Sequence, residues 1–177
     1  MTTTALACLL LVGCTDDPVG PVDGDVTTPT ATVSPPPTAP TPPPLPEAAK
    51  EETTEGAIAF VEHYIDLLNY AANTGDVALL QSASRDCDGC TKYIDNYKET
   101  YQRGGYFEDP GWSLVAPFAD REGLDVVVVS EVTAPAVTYV PSPGAQPTRG
   151  SNQTYSLRFV LSEGSESWVV TSFSGES

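Results

Sequence analysis

Eleven of the 17 prolines lie between Pro18 and Pro46, leaving six for the rest of the 177-residue chain. Proline fixes φ and has no backbone N–H, so a run this dense enters neither a helix interior nor a central strand. The stretch from Thr15 to Thr54 includes Pro35-Pro36-Pro37 and Pro42-Pro43-Pro44, and sets seven carboxylates against Lys50. With few large apolar groups to offset the entropy of ordering, it is expected to be a disordered tether. Polyproline II geometry, ~3.1 Å per residue, gives a reach of up to about 120 Å. Pro37-Thr38-Ala39-Pro40 spells P-x-x-P. No arginine flanks it, and a spacer explains it better than a recognition ligand. The chain therefore reads as residues 1–13, a tether over 14–54 and one domain over 55–177.

Ala5 to Val12 is an apolar run followed by Gly13-Cys14. It is too short to cross a bilayer, which needs ~20 helical residues. It has the character of a signal-peptide core, and Leu11-Val12-Gly13-Cys14 resembles the bacterial lipobox. That resemblance implies removal of residues 1–13, a diacylglyceryl group on the Cys14 sulfur, and residence on the extracytoplasmic face of the cell membrane. Acyl chains contribute ~0.8 kcal/mol per buried methylene, so several of them hold a protein without a spanning helix. A signal peptide opens with basic residues, yet no Lys or Arg precedes Cys14. The precursor is accordingly expected to start upstream of Met1. A buried strand at Leu9–Val12 is the alternative, and the polar tether offers it nothing to pair with.

Charge narrows the partners. Eight Lys and Arg against 24 Asp and Glu give a net charge of −16. Nucleic-acid binding, which needs cationic patches on phosphates, is excluded, as is docking on anionic lipid by charge alone.

From Glu55 the pattern becomes that of a folded domain. Ala57, Ile58, Val61, Tyr64, Ile65, Leu68, Ala71 and Ala72 share one face of a helix, with Glu62, His63, Asp66, Asn69, Tyr70 and Asn73 opposite. Thr53 or Thr54 caps its start and Gly75 its end. Asp76 is placed to cap a short second helix to about Ala83, burying Val77, Leu79 and Leu80. A third helix is predicted from about Thr91 to Arg103, stopped by Gly104-Gly105. Strands are predicted at Trp112–Ala116, at Leu124–Val132 with continuation through Val137–Val140 past a bulged or edge Pro135, at Gln153–Leu161 and at Ser167–Phe173. Helices followed by an antiparallel meander give an α+β fold, the helices lying on one face of a curved sheet.

Several of these segments resemble an actinobacterial lipoprotein family of unknown function. They are the lipobox and tether, Ala59-Phe60-Val61 through Tyr64, Asp66-Leu67-Leu68-Asn69-Tyr70-Ala71, Gly75-Asp76, Cys87-Asp88-Gly89-Cys90 and Tyr93. The likeness covers roughly Glu55 to Tyr101. The domain also resembles a nuclear-transport-factor-like (ketosteroid-isomerase-like, cystatin-like) cone, which implies a long first helix on a bent sheet. Such folds host enzymes, binders and assembly modules alike.

Four cysteines are present; with Cys8 in the leader and Cys14 lipidated, Cys87 and Cys90 remain. In an oxidising compartment they are expected to form a disulfide fixing the turn before the third helix. A redox-active pair is the alternative, weakened by Asp86 and Asp88, which disfavour a thiolate. One His and one Cys pair are too few for structural zinc. Asp86-Cys-Asp88-Gly89 lacks the bidentate Glu of a calcium loop, its place being taken by Tyr97. His63, with Asp66 and Tyr70, could form an acid–base cluster, but its helix face reads as solvated. No G-x-S-x-G context marks a nucleophilic serine. No cofactor, metal or catalytic residue is assigned.

The aromatics Tyr93, Tyr97, Tyr101, Tyr106, Phe107 and Trp112 crowd one segment. Core packing accounts for them; a pocket mouth or partner surface formed by Tyr64, Tyr97, Tyr101, Phe107 and Trp112 is the sharper reading. Three functions follow. One is a binding module for a small apolar ligand or an envelope protein, another an enzyme of the ketosteroid-isomerase or polyketide-cyclase type. The third is a structural or assembly lipoprotein. The enzyme requires a buried carboxylate near Tyr97 or Tyr101.

Overall fold

The structure, a computed structural model, describes residues 40–176. The expected signal peptide, the Cys14 lipidation site and the tether as far as residue 39 lie outside the described residues.

Helix α1 (Thr54–Thr74) starts where the Thr53 hydroxyl accepts the Gly56 N–H at 2.9 Å. It ends at Gly75, whose φ of 74° is the left-handed cap geometry and whose N–H bonds the Ala71 carbonyl. A Cβ at Gly75 would also lie 2.3 Å from the Tyr101 ring. The predicted apolar face packs inward, except that Ile58 is only half-buried. Helix α2 (Ala78–Ser82) buries Leu80 and, just before it, Val77, but Leu79 is 43 % exposed, contrary to expectation. A five-residue helix has one inward face, and Leu80 occupies it.

Helix α3 (Asp88–Gln102) begins three residues earlier than predicted, because the Cys87 sulfur accepts the Cys90 N–H at 3.2 Å and caps it. Cys87 and Cys90 form the expected disulfide, with Cα atoms 5.3 Å apart.

The strands are β1 (Tyr106–Glu108), β2 (Ser113–Glu122), β3 (Asp125–Ala134), β4 (Thr138–Val140), β5 (Thr148–Arg149), β6 (Gln153–Glu163) and β7 (Trp168–Glu176). They form an antiparallel sheet β2-β3-β6-β7 and a small one, β1-β4-β5. The α+β class is as predicted. Val137–Val140 does not continue β3: the chain leaves the main sheet after Ala134, and Thr138–Val140 pairs with β1. Pro135 has no N–H with which to extend the ladder. The bulge expected there lies instead at Ala116-Pro117, between the paired Val115 and Phe118. The Ser130 hydroxyl, buried on β3, accepts from Val115 N at 3.2 Å, while its single proton faces Glu131 O at 2.7 Å and Val115 O at 3.1 Å, so it fills in at the interrupted ladder. Leu124 lies in the β2–β3 turn, 89 % exposed.

The core lies between α1 and the main sheet. Phe159 and Phe173, paired across β6 and β7, stack with ring centres 5.0 Å apart, and Tyr64 meets both rings edge-on at 6.2 and 6.4 Å.

The tether was expected to run free to Thr54, yet its end is folded. Glu47–Lys50 is a 3₁₀ turn whose Ala49 is fully buried, and Leu45 packs against the core. Trp168 Nε1 donates to Glu51 O at 2.9 Å, and Arg121 Nη2 to Glu52 O at 3.2 Å. The domain boundary therefore moves from Glu55 back to about Leu45. Proline density ends at Pro46, and Leu45 and Ala49 supply apolar groups to bury. Among the described residues no helix is long and apolar enough to cross a membrane.

Candidate functional site

The polar face of α1 was predicted to be solvated, but part of it holds a loop. Asn69 Oδ1 accepts Trp112 N at 2.7 Å and its Nδ2 donates to Trp112 O at 2.9 Å. One turn on, Asn73 does the same for Asp109, at 3.1 and 3.0 Å. Two side-chain amides thus stand in for a β-ladder and fasten residues 109–112 to the helix.

Trp112 is thereby placed beside the start of α3. Its ring meets Tyr93 edge-on at 5.5 Å and Tyr155 at 6.0 Å, tilted 35°, while Tyr93 lies 5.3 Å from Phe173. These aromatics, with Leu157, wall an open recess of about 580 Å³ between the N-terminal end of α3 and strands β6 and β7. Asp86, Asp88 and Lys92 line it from the α3 side, and Ser172 and Ser174 from β7. Among the described residues, none of these charged groups and hydroxyls, nor the Tyr93 and Tyr155 hydroxyls nor Trp112 Nε1, has a protein hydrogen-bond partner; Thr171, which bonds Val160 O, is the exception. Burial, reinforced by the neighbouring Tyr155, raises the Tyr93 pKa above the ordinary phenol value.

Gly89 makes this junction possible. A Cβ there would lie 1.9 Å from the Phe173 carbonyl oxygen, so only glycine lets α3 start directly on β7. Asp86, just before the disulfide, is held at φ 50° in the left-handed region. Such a conformation costs a non-glycine residue of order 1 kcal/mol or more.

The five aromatics expected to form a pocket mouth or partner surface do not form one site, although Tyr97, Tyr101 and Phe107 meet. Trp112 alone of them lines the aromatic recess. Tyr64 is 1 % exposed in the core, its hydroxyl 3.1 Å from Ser84 Oγ, and burial raises its pKa to about 12. Tyr97, Tyr101 and Phe107 pack together under the small sheet, where Phe107 stacks on Tyr139 at 4.9 Å. Tyr101 donates to Ala72 O at 2.9 Å. Burial, then the nearby Asp109 carboxylate, pushes the Tyr97 pKa up strongly. These four serve packing: Tyr64 lies against Phe159 and Phe173 of the main sheet, and Tyr97 and Tyr101 lie against Phe107 of β1. Tyr155 and Phe173 went unassigned to any site; the signal for Tyr155 was its place at the outer end of the alternating row Tyr155, Leu157, Phe159, Leu161.

His63 was expected on a solvated face and is instead 6 % exposed. Alpha1 packs on two sides, against the sheet and against the 3₁₀ turn and α2, and His63 falls on the second. Its Nδ1 has no partner among the described residues. Burial lowers its pKa, opposed in part by the Asp66 carboxylate. It lines a second open cleft of about 580 Å³, floored by Leu45, Phe60 and Leu67. Three of the four serines there are engaged: Ser82 bonds Leu79 O, Ser84 bonds Leu80 O and Ser167 bonds Trp168 O, while Ser165 has no side-chain partner among the described residues.

The enzyme reading required a buried carboxylate near Tyr97 or Tyr101. Among the described residues no Asp or Glu is buried, and the nearest acid, Asp109, is only half-buried. That requirement is not met. Nor do the described residues contain a grouping of three or more His, Cys, Asp or Glu able to hold a metal.

Residues 28–124 match a family described only as a family of unknown function, DUF6318. The chain belongs to that family. The DUF6318 match takes in all three helices, the Asn69 and Asn73 clamps, Asp86 to Tyr93 and Trp112; the β6–β7 wall lies beyond it. No curated protein matches the chain. Among solved structures, the intermembrane space region of chloroplast protein ARC6 is similar, with a TM-score of 0.54 at 14 % identity over 71 % of this chain and 97 % of that one. A nuclear transport factor 2-like superfamily protein from Salmonella enterica serovar Typhimurium is 14 % identical over 71 % of this chain and 94 % of its own, with a TM-score of 0.44. An NTF2-like protein with a cystatin-like fold from Novosphingobium aromaticivorans gives 13 %, 65 %, 77 % and 0.40. These likenesses concern the fold alone.

Proposed function

We propose that this DUF6318 chain is a secreted, lipid-anchored envelope module, held to the membrane through Cys14, that binds a small, partly apolar ligand in the aromatic recess. The observation that carries the ligand reading is the recess itself, walled by Tyr93, Trp112, Tyr155 and Phe173 with Asp86, Asp88, Ser172 and Ser174 beside them. Apolar walls with a few convergent polar groups are the general form of a small-molecule site. The secreted location is supported by the lipobox-like Leu11-Val12-Gly13-Cys14 and by a disulfide, which persists in oxidising compartments.

Two measurements test this. Metabolic labelling with a tagged fatty acid is expected to mark the full chain but not Cys14→Ala; an unlabelled wild type found in the soluble intracellular fraction overturns the anchor. Native mass spectrometry of the protein from its own host is expected to show a retained small molecule that Trp112→Leu loses. A retained molecule indifferent to Trp112, or a tight complex with an envelope protein in its place, overturns the ligand reading.

A further inference from the structure

We infer that the aromatic recess selects an organic ammonium ion bearing apolar substituents, such as a trimethylammonium group; this rests on the ligand reading above and gives it a chemical class. The geometry combines two features that favour a cation independently. The first is the set of aromatic rings that line the recess. Tyr93 and Trp112 meet edge-on at 5.5 Å and Trp112 and Tyr155 lie 6.0 Å apart, so the three rings form adjoining walls of one cavity rather than a single flat stack. The face of an aromatic ring is the negative pole of its quadrupole, and a cation within about 6 Å of it is attracted, most strongly over Trp. Alkyl groups on the cation fill the apolar part of the recess, which Leu157 and Phe173 continue.

The second is the sign of the surrounding charge. Asp86 and Asp88 line the recess against a single Lys92, an excess of one negative charge among the lining residues, larger than the partial positive charge of roughly +0.5 at the α3 N-terminus, on a chain of net charge −16. A field of that sign concentrates cations at the surface and repels anions. The position of the two carboxylates is built in: they flank Cys87, whose disulfide to Cys90 closes the turn, and Asp86 is held there in a left-handed conformation. Asp86 lies in the turn between α2 and α3, Asp88 opens α3, and Lys92 follows Asp88 by one helical turn.

The test compares choline with 3,3-dimethyl-1-butanol, in which carbon replaces the charged nitrogen, by calorimetric titration of the intact folded chain. Nα-acetyl-lysine amide forms a third arm, separating a free methylated ammonium from the side chain of a partner protein. Choline is expected to bind at least tenfold more tightly than its neutral isostere, and several-fold more weakly to Asp86→Asn and to Tyr155→Leu. Asn keeps the left-handed backbone at position 86 and Tyr155 is 41 % exposed, so both variants are expected to retain the wild-type melting temperature. Tighter binding of the lysine amide than of choline, again lost in Asp86→Asn, overturns the selection of a substituted ammonium and points to a protein side chain in its place. Equal affinity for choline and the alcohol overturns the charge preference while leaving an apolar ligand site. Binding of choline that both variants retain, or no binding of any probe, overturns the inference, and native mass spectrometry then decides the ligand reading separately.

Discussion

Asn69 and Trp112 lie 43 residues apart in sequence, and the side chain of the first bonds both the N–H and the carbonyl of the second, at 2.7 and 2.9 Å. This pairing sets the position of the recess wall. Each bond is worth roughly 1 kcal/mol net. Asn69→Ala is therefore expected to lose about 2 kcal/mol in urea unfolding and to weaken any ligand held against Trp112. Asn69→Asp, which keeps the acceptor and loses the donor, is expected to fall between the two. Equal stability of all three proteins would show that the loop holds itself.

Gly89 offers a sharper steric test. A Cβ 1.9 Å from the Phe173 oxygen meets backbone, which cannot rotate away. Gly89→Ala is expected to cost about 2 kcal/mol, in the range typical of overpacking. A control at Gly150, where an added Cβ makes only ordinary contacts at 3.6 Å or more from Val137, faces no such clash. Chemical denaturation of both variants compares them directly.

Why Gly89 and Asn69 were not legible beforehand follows from what periodicity contains. The apolar row of α1 specifies one buried face, and the structure buries it. It does not specify a second neighbour, and the 3₁₀ turn that covers His63 comes from a stretch whose prolines speak for disorder. The strands of the main sheet were legible because Val and Phe alternate, with Leu157, Phe159 and Leu161 on one face. The departure of Thr138–Val140 was not, since a short Val-rich run suits either sheet. Among the site residues, Trp112 was found through crowding, but Tyr155 comes near it only through the pairing of β3 with β6, and Phe173 follows through the hairpin of β6 with β7.

His63 predicts an acid-side instability. Burial favours its neutral form, so its folded pKa lies below the ordinary 6.5. A folded pKa below the unfolded one means that the unfolded chain takes up the proton first as pH falls. Stability from this group is complete above pH 6.5 and declines as pH drops through 6.5 toward the lowered folded value. His63→Phe is expected to flatten that part of the stability profile in urea titrations between pH 7 and about 5. An unchanged slope would assign the effect to other groups.

Tyr64 predicts the opposite, alkaline limb. Its pKa is raised from 10.0 to about 12 by burial, so the folded state keeps the proton that the unfolded chain releases. The contribution is complete below pH 10 and is lost between there and about 12. Tyr64→Phe removes that loss and forfeits the Ser84 contact, with an expected cost of about 1 kcal/mol at neutral pH. Absorbance at alkaline pH is expected to show one late-titrating phenol fewer in the variant, with Tyr97 still titrating late in both proteins.

The clasp at Glu51 and Glu52 has a mechanical consequence. Trp168 and Arg121 bond the two successive carbonyls, from the β7 and β2 edges of the main sheet. Tension applied from the amino-terminal side therefore passes into both edge strands at once, before it reaches the first turn of α1. A pull that would peel a helix one turn at a time must here break two bonds held on opposite borders of the sheet, so the helical layer and the recess beside it are shielded from strain on the leading chain.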